Sequence, residues 1–231
     1  MRWTDLAFLH WPVPAALLRP LVPAELELDT FEGDAWLGIV PFRMEGTRAR
    51  PAPPIPTATN FPELNVRTYV RAGRRGGGRA GVWFFSLDAA SRLAVLGARL
   101  SVNLPYFRAA MNMTGDLEEG VHFTSRRHGD RGGEQADFRG SYRARGAVFE
   151  TAPGSLEHWL TERYCLFGRF RSGAVYFMDV HHLPWPLREG RVDLELNSMA
   201  EAAGIPLHPD TRPLVHVAGS LDVRGWLPGK L

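Results

Sequence analysis

The stretch that decides the fold is Glu63-Leu64-Asn65-Val66-Arg67-Thr68-Tyr69-Val70. Side chains on a β-strand point alternately to the two faces of a sheet. One face of this strand would be mainly apolar and carry Leu64, Val66, Thr68 and Val70. The opposite face would be polar and carry Glu63, Asn65, Arg67 and Tyr69.

The next strand shows how that polar face is used. The run Val82-Trp83-Phe84-Phe85-Ser86-Leu87 is almost continuously apolar, which is typical of a strand that is covered on both faces. A Gly-rich turn at residues 72–78 joins the two strands and predicts a hairpin. Because the second strand is covered, we expect the polar face of the first strand to line an enclosed space and not to face water.

Length and composition exclude several classes of protein. The 231 residues, 45% hydrophobic and 23% charged, fit one globular domain over 1–231. No apolar run approaches the ~18 residues that span a membrane. Asp5 and His10 interrupt the region where a signal peptide would be apolar. The single cysteine, Cys165, precludes an internal disulfide and suits a reducing cytoplasm.

The basic residues restrict the chemistry further. Lys230 is the only lysine, so a reaction that needs a buried lysine amine has no residue to use. Arg71, Arg74, Arg75 and Arg79 cluster at the Gly-rich turn, but the net charge is only +2. A solvated hairpin tip explains this cluster better than phosphate binding does. We therefore expect neither a nucleic acid nor a membrane partner, and leave homo-oligomerisation open.

The rest of the chain predicts many short strands and a few short helices. We expect helices near 15–20, over Ser91–Leu100 with its leucines on one face, after Ser155, and over Leu194–Ala203. The Pro-rich segment Arg50–Pro62 is either a plain loop or a lid. The fold class is mainly β (α+β), with an antiparallel, partly closed sheet.

Several longer motifs resemble a bacterial family. They are Phe61–Val70, Val82–Asp88, Leu104–Phe107, Arg163–Leu166 and His182–Leu187. On these motifs the chain resembles the DUF2071, or YqjF-like, proteins over nearly its whole length. That family is distantly similar to acetoacetate decarboxylase, which implies an antiparallel β-barrel or cone around a small-molecule cavity.

The same resemblance shows what chemistry is missing. Glu63 falls where the decarboxylase has a glutamate, and Pro105-Tyr106-Phe107 falls where it has a Pro-Lys-Lys step. A Schiff base needs a primary amine, which Tyr106 and Phe107 cannot supply. The resemblance therefore implies the fold without the decarboxylase activity, because function resides in the site and not in the fold.

The candidate site residues are those of the polar face together with Arg99 and Tyr106. Arg67 could hold a carboxylate while Glu63 transfers a proton, or the two could belong to a structural ion-pair network. Asn65 and Tyr69 would orient either arrangement by hydrogen bonding. Arg99 either points to the cavity or ends an exposed helix, and the phenol of Tyr106 suits binding better than base catalysis.

Metal and cofactor chemistry find no support in the sequence. His181 and His182 are adjacent and would point to opposite faces of a strand, while His122 and His158 lack ligand spacing. Nucleotide-binding and nucleophile-elbow fingerprints are missing. We therefore expect no cofactor and no metal.

Two functional hypotheses remain. The first is binding, with or without acid–base conversion, of a small carboxylate or carbonyl compound in the barrel cavity. The alternative is a non-catalytic ligand-sensing or structural protein.

Overall fold

A computed structural model describes residues 1–47, 59–73, 77–129, 134–208 and 210–231. The strands are β1 Arg2–Val13, β2 Leu26–Leu28, β3 Ala35–Glu45, β4 Phe61–Ala72, β5 Ala80–Ala89, β6 Tyr106–Thr114, β7 Val121–Arg127, β8 Asp137–Phe149, β9 Cys165–Arg169, β10 Val175–His181, β11 Leu187–Asn197, β12 Leu214–Asp222, β13 Arg224–Gly225 and β14 Gly229–Lys230. The α-helices are α1 Ala15–Leu18, α2 Arg92–Ser101 and α3 Leu156–Thr161. Short 3-10 helices cover Arg19–Leu21 and Glu201–Ala203.

The strands form one large sheet that returns on itself. The hydrogen-bonded order β5-β6-β7-β8-β11-β12-β1-β3-β4 is closed by pairing of β4 with β5. The predicted hairpin is confirmed, since Asn65 pairs with Leu87 and Tyr69 with Val82. The pairing is mainly antiparallel, with β5 parallel to β6 and to β9. The predicted mainly β class is therefore confirmed.

The concave side of this closed sheet is filled by apolar side chains. One cluster joins Leu9 and Ile39 from one side of the sheet with Phe123 and Phe138 from the other. Leu64 and Val66 of β4 belong to it, so the apolar face of β4 points to the interior. We call this group the inner cluster.

The polar face of β4 consequently points outward, which corrects the expectation of a chamber inside the barrel. The residues that pair with it on β3, Val40 and Phe42, belong to a second cluster that also contains Val95 of α2 and Trp185. Helices α2 and α3 and the segment before β11 cover this outer face. The polar residues are thus enclosed between the sheet and its covering layer.

Helix α2 is present as predicted, but the orientation of its leucines is not as expected. Leu93, Leu96 and Leu100 are exposed by 49%, 53% and 65%, whereas Val95 and Arg99 are buried. Val95 and Arg99, four residues apart, face the sheet because Val95 packs in the second cluster, with Val40, Phe42 and Trp185, and Arg99 hydrogen-bonds to β6. Ser91 caps the helix by accepting the N–H of Ala94.

The expected helix over Leu194–Ala203 is wrong in most of its length. Strand β11 continues to Asn197 because Val192 and Leu194 pair with β8, and only Glu201–Ala203 is helical. The 3-10 helix does end at Gly204, with a φ of 76°. The loop-or-lid expectation for Arg50–Pro62 lies outside the described residues as far as residue 58. Among the described residues, no helix combines the length and apolarity needed to cross a bilayer.

Candidate functional site

The four polar side chains of β4 are all withdrawn from solvent. Glu63 is 2% exposed, Asn65 4%, Arg67 7% and Tyr69 0%. They share a face because the bulge in the hairpin inserts its extra residue in β5, between Phe84 and Ser86, and leaves the alternation of β4 intact. Buried charges need compensation, so the surroundings of Glu63 and Arg67 decide what this face does.

Glu63 lies at one end of the row, in contact with Tyr106. The phenol of Tyr106 donates a hydrogen bond to Glu63 Oε2 over 3.2 Å, and Arg99 Nε donates to the backbone oxygen of Tyr106 over 2.7 Å. Burial raises the pKa of Glu63 to about 8, although the hydrogen bond from Tyr106 opposes the shift. Glu63 is therefore mainly protonated at neutral pH and contributes no full negative charge to the outer face.

Arg67 lies at the other end, among aromatic rings. Its guanidinium is 5.4 Å from the ring centre of Phe8 and 5.9 Å from that of Tyr69, and the Tyr69 hydroxyl is 2.6 Å from His10 Nε2. Burial lowers the pKa of His10 well below its usual value, and Arg67 adds to the effect. His10 is thus neutral at physiological pH.

Gly38 on β3 leaves room for this arrangement. A Cβ at this position would be 3.3 Å from Arg67 Cγ and 3.3 Å from His10 Cδ2. Such contacts are tighter than ordinary van der Waals packing. Glycine therefore lets Arg67 and His10 pack side by side against the sheet.

A small cavity lies beside Arg67 under the covering layer. Its volume is about 40 Å³, and it is lined by residues that include Trp3, Phe8, Arg67, Arg163, His182 and Trp185. Its walls are therefore largely apolar, with several aromatic rings and two guanidinium groups.

Arg163 is the second cation of the cavity wall and is already paired. Its Nη1 donates to Asp29 Oδ2 over 2.6 Å and its Nε to the backbone oxygen of Trp159 over 2.6 Å. Burial lowers the pKa of Arg163, and the hydrogen bond that it donates to Asp29 opposes that shift. Among the described residues, Arg67 has no such carboxylate within ion-pair distance.

Three residues of this wall carry buried N–H groups that find no acceptor within the described chain. The atoms are Arg67 Nε, Arg163 Nη2 and Trp3 Nε1. A buried donor without a partner costs on the order of 1–3 kcal/mol. These three residues thus carry donors for which the described residues offer no acceptor.

The structure divides the six predicted site residues into two groups. Arg67 and Tyr69 lie near the cavity, whereas Glu63, Tyr106 and Arg99 form the separate cluster at the far end of β4. Asn65 lies between them on the strand, and its Oδ1 has no partner among the described residues. No ion pair joins Glu63 to Arg67 within the described part of the chain, so a network linking these two residues is not observed.

Arg163, His182 and Trp185 were not predicted as site residues. They are far from β4 in sequence. Arg163 reaches it through pairing of β9 with β5, and Trp185 through its ring contacts with β1. Each lies in a motif that carries the family resemblance, but neither spacing nor periodicity connects those motifs to Arg67. An arginine between a short helix and an apolar strand was the available signal for Arg163.

Cysteine and metal chemistry are not supported by the geometry. Burial raises the pKa of the Cys165 thiol to about 12, so the thiolate needed for nucleophilic attack is scarce. Within the described ranges, no three His, Cys, Asp or Glu side chains group as metal ligands.

Solved structures with the same fold are acetoacetate decarboxylases and related enzymes. The acetoacetate decarboxylase of Legionella pneumophila matches with a TM-score of 0.62 and 15% identity, over 99% of this chain and 83% of that chain. An acetoacetate decarboxylase-like enzyme of Sphingomonas wittichii RW1 gives 0.66 and 16%, over 100% and 91%. The enduracididine biosynthesis enzyme MppR gives 0.63 and 12%, over 100% and 86%. At these identities the similarity shows the fold.

Sequence comparison gives the family. The family model DUF2071, described as an uncharacterized conserved protein, matches residues 1–222. The chain is also 45% identical over 226 residues to the uncharacterized protein YqjF of Bacillus subtilis (strain 168), covering 97% of this chain and 88% of that one. The motifs, the fold and these two matches agree: the chain belongs to the DUF2071 family.

Proposed function

We propose that this protein binds a small carboxylate or carbonyl compound in the cavity beside Arg67. One observation carries the proposal: Arg67, Arg163 and Trp3 line the same cavity, and each has a buried N–H without an acceptor among the described residues. A carboxylate offers two oxygens with about four acceptor sites, and its negative charge complements the positive guanidinium. It would satisfy donors for which the described residues provide no acceptor.

Two further features support a carboxylate. Arg67 is 7% exposed and has no ion-pair partner among the described residues, and a bound anion would compensate this buried charge. MppR, which shares the fold, is described in complex with pyruvate, a small carboxylate with a carbonyl group. This similarity is one of fold, so it adds only that such a sheet can hold such a molecule.

Glu63 is the group that would make this protein an enzyme. It is a neutral acid beside a phenol, which is the state of a general acid. Four residues of strand separate the Cα atoms of Glu63 and Arg67 by about 13 Å, so proton transfer would require a substrate that extends from the cavity along Asn65. If no such transfer occurs, the protein is a non-catalytic ligand-binding protein.

The binding step is tested by a thermal-shift screen, because a ligand of the native state raises the melting temperature. We expect acetate and pyruvate to raise it, and acetamide, of matched size but neutral, to have no effect. The rise should vanish in Arg67→Met, which keeps an unbranched apolar side chain and removes the guanidinium, and persist in Arg143→Met, which changes an exposed arginine. Equal shifts in wild type and Arg67→Met would refute the assignment.

Catalysis is tested separately with Glu63→Gln. Deuterium exchange at the methyl group of pyruvate in D2O, followed by NMR, reports proton transfer next to a carbonyl. An enzyme would lose exchange in Glu63→Gln and keep the thermal shift. Binding by the wild type without exchange would favour the non-catalytic alternative.

A further inference from the structure

We propose that the cavity selects short monocarboxylates, of up to about three carbons, and that the indole of Trp185 sets this limit. The inference rests on the proposed function, since it names the class of carboxylate that the same site takes. It is carried by the volume of the cavity, by the packing of Trp185 and by the charge of the wall.

The volume limits the size of the ligand. The cavity measures about 40 Å³. A ligand of only a few non-hydrogen atoms fits, such as a carboxylate group with one or two further carbons, which has four or five non-hydrogen atoms. Pockets for larger ligands usually measure roughly 300–1,000 Å³.

Trp185 is a fixed part of the wall. It is 4% exposed and stacks on Trp3 with ring centres 6.0 Å apart, while Phe8 meets it edge to face at 5.2 Å. Its backbone N–H donates to Glu162 Oε1 over 3.0 Å, and the ring of His182 lies 5.0 Å away. Contacts on several sides hold the indole in place, so it cannot turn aside for a longer chain without repacking its neighbours.

The charge of the wall favours a single carboxylate. Asp29 pairs with Arg163 over 2.6 Å and also with the half-exposed Arg71 over 3.2 Å, which leaves Arg67 as the cation of the wall without a carboxylate among the described residues. The remaining lining is largely apolar, with Phe8, Val82 and Phe84. A second carboxylate would have to be buried against these side chains without a cation, which is costly.

Isothermal titration calorimetry with acetate, propionate, butyrate, hexanoate and succinate tests this inference. For the wild type we expect acetate and propionate to bind, with affinity falling roughly tenfold or more by hexanoate, and succinate to bind weakly. Trp185→Leu should shift the preference to butyrate and hexanoate. If Trp185→Leu fails to fold, Trp185→Phe is a milder second variant. It should also raise the longest chain that binds, but by less than Trp185→Leu. Trp11→Phe changes a buried tryptophan of the inner cluster and should leave the profile unchanged.

The outcomes separate the two proposals. Wild-type binding of all four chain lengths with similar affinity, or an unchanged profile in Trp185→Leu and Trp185→Phe, would overturn the length limit and leave carboxylate binding in place. Succinate binding as tightly as propionate would overturn the choice of a monocarboxylate. If no acid binds to the wild type, the proposed function itself fails, and the length limit with it.

Discussion

Replacement of Glu63 by glutamine should change how the stability of the protein depends on pH. Burial raises the pKa of this carboxyl from 4.5 to about 8, and each pKa unit corresponds to about 1.4 kcal/mol. Ionising Glu63 within the folded protein therefore costs up to about 5 kcal/mol relative to the unfolded chain. Glutamine has nearly the same shape and can accept the hydrogen bond of Tyr106, but it does not ionise.

The sign of this pH dependence follows from the number of protons that the folded and unfolded states bind. Between pH 4.5 and 8 the folded protein retains the Glu63 proton that the unfolded chain has lost. The free energy of unfolding therefore falls as the pH rises through this window, by up to about 1.4 kcal/mol per pH unit from this one group. Below pH 4.5 both states are protonated, and the wild type and Glu63→Gln should have similar stability.

Urea unfolding from pH 5 to pH 9 measures the effect. We expect Glu63→Gln to become progressively more stable than the wild type with rising pH, up to a difference of about 5 kcal/mol near pH 8 and above. Subtracting the two curves removes the contributions of the other titrating groups. Glu119→Gln, which changes an exposed carboxylate, should run parallel to the wild type. Parallel curves for Glu63→Gln as well would show that Glu63 titrates normally and would refute the reasoning.

Three other outcomes follow from the structure. Gly38→Ala should displace Arg67 and His10 and weaken carboxylate binding, as measured by calorimetry; unchanged affinity would contradict the packing argument. Arg127→Met should lower the free energy of unfolding, measured with urea, by about 3–5 kcal/mol, because it removes the buried guanidinium whose Nη2 donates to Asp88 over 2.7 Å; a small loss would argue against a strong contribution from this ion pair. In the Glu63→Gln background, where the opposite contribution of Glu63 is absent, acidification below pH 6.5 should lower the free energy of unfolding, because burial lowers the pKa of His10 and the unfolded chain binds that proton first; adding His10→Gln should reduce this loss, and an unchanged loss would count against the assignment.

The hairpin at the centre of the fold was predictable from local pattern alone. Strict alternation over residues 63–70 and the apolar run 82–87 fix two strands and their relative burial. Which face of β4 lies on the concave side of the sheet could not be predicted. Alternation distinguishes the two faces, but it does not indicate the direction in which the sheet curves. The closure of β4 on β5, which decides the question, depends on the order of strands throughout the chain.

The helical errors have a related cause. The segment 194–203 contains helix-forming residues, but pairing of Leu194 with Gly140 of β8 extends β11, and tertiary pairing overrides local propensity. In α2 the leucine stripe suggested the buried face, yet Val95 and Arg99 meet the sheet instead. Both outcomes depend on neighbours that are distant in sequence.

The part of the site that lies on a single strand was predictable, and the part that depends on distant residues was not. The polar row of β4 comes from consecutive residues, so its burial could be inferred from one strand. Arg163 reaches Arg67 through the pairing of β9 with β5, and Trp185 through its contacts with Trp3 and Phe8 of β1. No local spacing encodes these contacts. The separation of Glu63 and Tyr106 from the cavity likewise follows from the covering layer and not from β4 itself.

The central claim is that the guanidinium of Arg67 holds the carboxylate group of the ligand. The Nε–H resonance of Arg67 in a ¹⁵N-labelled sample, assigned by its loss in Arg67→Met, tests it directly. Titration with acetate should move the proton resonance downfield and saturate together with the binding measured by calorimetry, because a charge-assisted hydrogen bond forms at that atom. An Nε–H resonance that stays in place while acetate binds would contradict the claim.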